Sequence, residues 1–245
     1  MTDDGGHRAP KRTGPRPRTV QLQTPRHDAR ATRTAGQRMR SRLLDAASTL
    51  FKERGLNGAS IMAIAGAADA FPSQVTYYFR SKEAMFVEAA CRDMLHTAKR
   101  AENAAARSRS PRAYARALVE SVVGADGLAL FVEALILARQ RPDLVPQIAR
   151  TIERLHAEGT KAYAGEMARH GWRTHQPADV SARRFWTIAL GVALEGHAMG
   201  RSAAVMATAM HEALGEMAMA RAATSESGPA LRLVTTSGRR YTRSS

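Results

Sequence analysis

The chain has 245 residues, 44% of them hydrophobic, enough to bury a real core in one or two compact domains. A single cysteine, Cys91, excludes a disulfide framework and a cysteine-rich zinc site. No apolar run approaches a membrane span and no secretory core follows the basic N-terminus, so a cytoplasmic protein with no membrane partner is expected.

The formal charge is +15, of which residues 1–36 carry +5 and residues 224–245 carry +3. More than half of the excess therefore sits at the two ends. Such a balance points to a polyanionic partner, usually nucleic acid, with a merely solubilising arginine-rich tail as the plain alternative. Aromatics are scarce at 5%, and alanine, leucine, methionine and arginine dominate, which makes an all-helical fold the expectation.

Residues 1–36 hold Pro10, Pro15, Pro17 and Pro25 among arginines and threonines. Too few apolar groups are present to offset the ordering entropy, so this stretch reads as a disordered basic arm. The first helix is expected from about Gln37 to Arg54, with Leu43, Leu44, Ala47, Leu50 and Phe51 on one stripe and Gly55 as its stop. Ser60 stands as the N-cap of a short second helix whose inner face is Ile61, Ile64, Ala65 and Ala68. Pro72 suits the first position of a third short helix ending near Phe79, because its missing N–H would be unpaired there anyway. Ser81 caps a fourth that runs to about Ala106.

Further helices are expected at about 111–123, 126–139, 145–170, 178–199 and 202–223, with the end from about Thr224 read as a disordered tail. No strand-like alternation and no internal repeat is visible.

Two short helices about four residues apart, behind a longer amphipathic one, outline a helix-turn-helix. Val75 and Phe79 would brace the third helix inward, leaving Ser73, Gln74, Thr76, Tyr77 and Tyr78 outward or at the rim. Gln74 can pair bidentately with adenine, and Ser73 and Thr76 can reach base edges or phosphates. Tyr77, Tyr78 and Lys82 suit backbone oxygens, and Ser60 at a helix start offers a hydroxyl and N–H groups to another phosphate. The plain alternative is an ordinary three-helix unit with half-buried tyrosines.

The run Leu44-Asp45-Ala46-Ala47, Leu50-Phe51, Arg54-Gly55, Ser60, Ile64-Ala65, Val75-Thr76-Tyr77-Tyr78-Phe79 and Ser81-Lys82-Glu83-Ala84 resembles the N-terminal domain of the TetR family over Arg38 to Val87. The resemblance implies a homodimeric, all-helical, ligand-responsive transcription regulator, most often a repressor. Three DNA-binding helices (37–83) would precede a bundle (84–223) that forms a ligand pocket and, through its last two helices, a four-helix dimer interface. The sequence departs from the family pattern at Phe71, where a small capping hydroxyl is usual, at Asp69, where glycine is usual, and at Thr76, often tyrosine. Phe71 would then pack as a hydrophobic staple.

In the second half, Leu128 to Ala138 is apolar almost all round with Glu133 in its middle. A buried carboxylate needs a partner or a task, so Glu133 either meets a cationic ligand, pairs with an arginine, or lies on a narrow wet face. Glu195 poses the same question as an interface or pocket-edge group. Small residues Ala189, Gly191, Ala193, Gly196 and Ala198, followed by Met199, Met206, Met210, Met217 and Met219, assign 178–223 to dimerisation. Two-fold symmetry would call for an operator of two inverted half-sites.

Phe86, Met94, Phe131, Met167, Trp172, Phe185 and Trp186 are, with Glu133, the candidate effector lining, most of the remainder being core. The lone carboxylates point to a cationic or amine-bearing lipophile. No cofactor is expected. The histidines show no metal spacing, Cys91 reads as an inert packed thiol, and no catalytic or phosphate-loop pattern supports an enzyme. A sequence-indifferent architectural DNA-binding protein driven by its basic tails is the competing class.

Overall fold

A computed structural model describes residues 26–173 and 176–225, with side chains over 34–173 and 176–215. Residues 1–39 and 40–245 form two separate units. Of the first, the described part is helical from Arg26 onward.

Helix α1 spans Arg26–Gly58, and Gly55, at φ 65°, breaks its helical geometry where a C-terminal glycine stop is expected. It begins well before Gln37. The last residues assigned to the arm are thus helical, Ala29, Arg30, Ala31, Arg33 and Ala35 being strong helix formers with no proline between Pro25 and Pro72. Propensity overrode the argument from missing apolar groups. Residues 1–25 of the arm and 226–245 of the tail lie outside the described residues.

Then come α2 (Ile61–Ala67), α3 (Pro72–Phe79), α4 (Lys82–Ala105), α5 (Pro111–Val123), α6 (Asp126–Gln140), a 3-10 turn at Pro142–Leu144, α7 (Val145–His170), α8 (Ala178–Ala198) and α9 (Ala203–Ser225). Among the described residues there is no strand. The caps follow chemistry legible in the sequence. Ser60 Oγ accepts from Ala63 N–H at 3.0 Å and Ser81 Oγ from Ala84 N–H at 3.1 Å. Gly171 and Gly200, both at φ 63°, end α7 and the turn after α8 in the left-handed conformation that glycine adopts freely.

Leu43, Leu44, Ala47, Leu50 and Phe51 bury the stripe of α1, where Phe51 meets Phe86 of α4 edge to face at 5.1 Å. Polar bonds stitch the same two helices. Arg40 holds Glu88 bidentately, at 2.5 and 2.6 Å, while Arg92 reaches Asp45 at 2.7 Å. Asp93, buried, takes Ser48 Oγ at 2.5 Å and Lys52 Nζ at 2.6 Å.

Helix α4 is the spine. Besides α1, its neighbours are α3, α5, α6 and α7, with α8 and α9 closing the bundle. At Gly127 the start of α6 comes so near α4 that a Cβ would lie 2.5 Å from Thr97 Oγ1 and 2.9 Å from the Asp93 carbonyl oxygen. Gly196 plays the same part between α8 and Met206 of α9. Ala189, Ala193 and Gly196 are thus buried within the chain, as are Met206 and Met210, whereas Leu194, Met199 and Val205 remain exposed. The side chains of Met217 and Met219 lie outside the described residues.

Candidate DNA-reading face and effector sites

Helix α3 is two turns long and cannot stand alone. Val75 and Phe79 anchor it, both buried, with the Arg40 guanidinium 4.8 Å from the Phe79 ring centroid. Pro72 occupies its first turn. Ser73, Thr76 and Tyr77 are exposed, and Gln74, Tyr78 and Lys82 are half-buried. The Tyr77 and Tyr78 rings meet edge to face at 4.9 Å, and Tyr77 is 80% exposed.

Phe71 does not act as a staple. Its side chain is 77% exposed, and as the N-cap it stands one position past the N′ site from which a staple reaches the fourth helical residue. The start of α3 is closed by Gln74 instead. Phe71 N–H donates to Gln74 Oε1 at 3.0 Å, and Gln74 N–H donates to the Phe71 carbonyl at 2.9 Å. The Gln74 carboxamide keeps its NH2 group and the second lone pair of Oε1, so bidentate pairing with adenine would share that oxygen with the cap. Ser60 Oγ accepts the α2 cap bond and retains its own O–H to donate. Asp69 sits at φ 49° and Arg80 at φ 68°, both in the left-handed half of backbone space, on either side of α3.

Of the eight expected effector residues, Phe86 and Glu133 share a cleft and Phe185 and Trp186 are in ring contact. Phe86, Met94, Phe131 and Trp186 are buried, and Trp186 Nε1–H donates to the Leu155 carbonyl at 3.2 Å. Phe185 leans on Trp186, with ring centroids 5.1 Å apart, and Met167 is half-buried. Glu133 is exposed and has no ion pair among the described residues, in keeping with a wet face on α6. With Phe86 it lines a cleft of about 400 Å³ whose other walls are Arg54 to Asn57, Ile136, Leu137 and Gln140. Glu195 pairs with Arg201 across the Gly200 turn at 3.0 Å.

Trp172 stands in a different group, one that sequence reasoning missed. Trp172 stacks on His170 at 4.4 Å and meets Tyr114 at 6.1 Å, and Tyr114 meets Tyr163 at 6.2 Å. The carboxylate of Glu166, a buried residue, lies beside them. Burial, then the Glu166 and Glu102 carboxylates and Tyr163, push the Tyr114 hydroxyl up to about 12. The available signal was the spacing of Tyr163, Glu166 and His170, which puts all three on one face of α7. Cys91 is buried and its thiol is pushed up by that burial.

A braced short helix with a polar outer face, carried on a helical bundle, defines a helix-turn-helix DNA-binding regulator. Family profiles agree with this class. "Bacterial regulatory proteins, tetR family" matches residues 43–89, and "Bacterial transcriptional repressor C-terminal" matches residues 111–215. A transcriptional regulator from Rhodococcus sp. RHA1 is 34% identical, with 74% of this chain and 95% of that one covered at a TM-score of 0.65. The chain belongs to the TetR family of bacterial transcriptional regulators.

More distant structures share the fold. A TetR-family regulator from Mesorhizobium loti is 19% identical, with 76% and 97% of the two chains covered and a TM-score of 0.56. The fatty acid degradation regulator FadR from Bacillus halodurans is 16% identical, with 72% and 95% covered and a TM-score of 0.54. No curated protein matches the chain. Among the described residues no single helix is long and apolar enough to cross a membrane.

Proposed function

We propose that the protein is a sequence-specific repressor that binds a palindromic operator as a homodimer and is released by a small lipophilic, amine-bearing molecule. The observation that carries this reading is the α3 surface. Ser73, Thr76 and Tyr77 are exposed beside the NH2 group of Gln74, on a helix locked by the buried Val75 and Phe79. Residues 37–83 form the reading head. Ser73, Thr76 and the Gln74 amide approach base edges, while Ser60, Tyr77, Tyr78 and Lys82 hold phosphates, with Pro72 setting the helix start.

Residues 84–223 hold the effector and, through 178–223, the partner protomer. The exposed Leu194 on α8, Met199 just past its end and Val205 on α9 support that assignment, being large apolar side chains left uncovered. The effector binds best to a state in which the two heads are wrongly spaced for the duplex, and its differential affinity draws the population off DNA.

The test is a gel shift of the full chain with DNA flanking its own gene, against scrambled DNA of equal length, at several salt concentrations. A preference of about a thousandfold is expected for a specific operator. Equal, steeply salt-dependent binding to both, abolished by removing residues 1–36 and 224–245, would instead make it a tail-driven architectural protein.

A further inference from the structure

We propose that Tyr114, Tyr163, Glu166 and Trp172 form a binding site for a small protonated amine with an apolar body. This deepens the reading of the chain as an effector-responsive regulator and rests on it.

Glu166 lies on α7. The residue is 8% exposed, and its Oε2 is buried without any hydrogen-bond donor. A carboxylate oxygen in that position forgoes its hydration with nothing in return, a costly arrangement in a settled core. Its basic neighbours do not repair this. Arg169 takes the other oxygen, Oε1, at 2.8 Å, and its own side chain is 64% exposed. His170 Nε2 lies 3.5 Å from Oε2 without making a hydrogen bond. A donor is wanted at Oε2, and no described side chain supplies one.

The surroundings specify what kind of donor. Tyr114, 4% exposed, lies within ring contact of both Tyr163 and Trp172, and both of those remain half-buried, so ring surface stays within reach of solvent. Glu102 adds a second carboxylate near Tyr114, and its ion-pair partner Lys99 is a surface side chain. Electron-rich ring faces beside carboxylate charge attract a cation, and the apolar ring surface accepts hydrocarbon. An ammonium N–H completes Oε2 with a charge-assisted bond, the strong kind. A neutral ligand adds no positive charge to the bond at Oε2, and a quaternary ammonium has no N–H to give.

Two local features build the site. Tyr163, Glu166 and His170 share one face of α7, three and four residues apart. Gly171 then turns left-handed at φ 63°, and Trp172 N–H donates back to the Met167 carbonyl at 3.0 Å, which folds the indole onto His170 and Tyr114.

The experiment titrates the full chain with benzyldimethylamine, benzyltrimethylammonium and benzyl alcohol at pH 7, following tryptophan fluorescence, with Trp172→Phe as the control for the signal. Saturable quenching by the protonated tertiary amine is expected, absent in Trp172→Phe. The quaternary analogue should bind several-fold more weakly and the alcohol not at all. Glu166→Gln should weaken the amine about tenfold or more, and Arg169→Ala should leave it as tight or tighter. Unchanged affinity in Glu166→Gln, equal binding of the alcohol, or no saturable quenching by any probe would overturn the proposal. So would an equal loss in Arg169→Ala and Glu166→Gln, since Glu166 would then serve only to hold Arg169. Circular dichroism of each variant separates lost binding from lost fold. A gel shift with and without the amine is read separately: amine binding that leaves DNA affinity unchanged keeps the site and rejects the effector reading.

Discussion

Asp93 of α4 accepts a 2.6 Å salt bridge from Lys52 of α1, and the same oxygen takes the Ser48 hydroxyl at 2.5 Å. The carboxylate is 8% exposed, so these bonds work where water does little to screen them. They join the helix that braces the reading head to the spine of the bundle. Asp93→Ala leaves Ser48 and Lys52 without their acceptor and opens a small void. Urea denaturation should show a loss of about 2–3 kcal/mol. A loss under about 0.5 kcal/mol, typical of an exposed pair, would show that the bridge contributes nothing distinctive.

Gln74 has two tasks that one substitution separates. Gln74→Glu keeps an oxygen to accept from Phe71 N–H and places a negative charge at a helix start, where it is favoured. Thermal stability should be unchanged or slightly raised. The substitution also removes the free NH2 and sets a carboxylate against phosphates, so affinity for flanking DNA should fall at least about tenfold, or about 1.4 kcal/mol. Full affinity in the variant would remove Gln74 from the reading face.

Asp69 carries a left-handed φ of 49° in the turn before α3, a conformation that glycine adopts without strain. Asp69→Gly should therefore stabilise the fold by about 0.5–1 kcal/mol, offset in part by the greater freedom of the unfolded chain. A melting temperature lower than that of the parent would mean that the aspartate side chain supports the turn in a way its backbone angle does not reveal.

Tyr114 makes stability depend on alkaline pH. Its hydroxyl is raised from 10.0 to about 12 in the fold, so the unfolded chain releases that proton first. The contribution is intact below pH 10 and is lost as pH climbs toward about 12. The size follows from the shift, about 2–3 kcal/mol over the whole window. Melting curves at pH 9, 10 and 11 should show the parent losing stability faster than Tyr114→Phe. Parallel curves would place the phenol in a wetter setting than its burial implies.

Much of the architecture was legible because it is written in local rules. The 3.6-residue stripe, the capping hydroxyls of Ser60 and Ser81, Pro72 at a first turn and the glycine stops act within a few residues of the chain. Predicted and observed bounds of α3 to α9 accordingly differ by no more than a residue or two. The start of α1 was misplaced for a related reason, since lack of apolar residues says a segment has no core to join, not that it cannot be helical.

The sequence by itself determined the all-helical fold, the helix-turn-helix and the outward set Ser73, Thr76 and Tyr77, because helical period and caps decide which way each residue faces. It could not determine that Phe71 points into solvent or that Glu133 is wet. Nor could it place Tyr114 beside Glu166 and Trp172, residues on α5, on α7 and just past its end. Only the tertiary structure decided those, because packing sums many weak contacts between distant segments, and no local rule states which helix faces will meet.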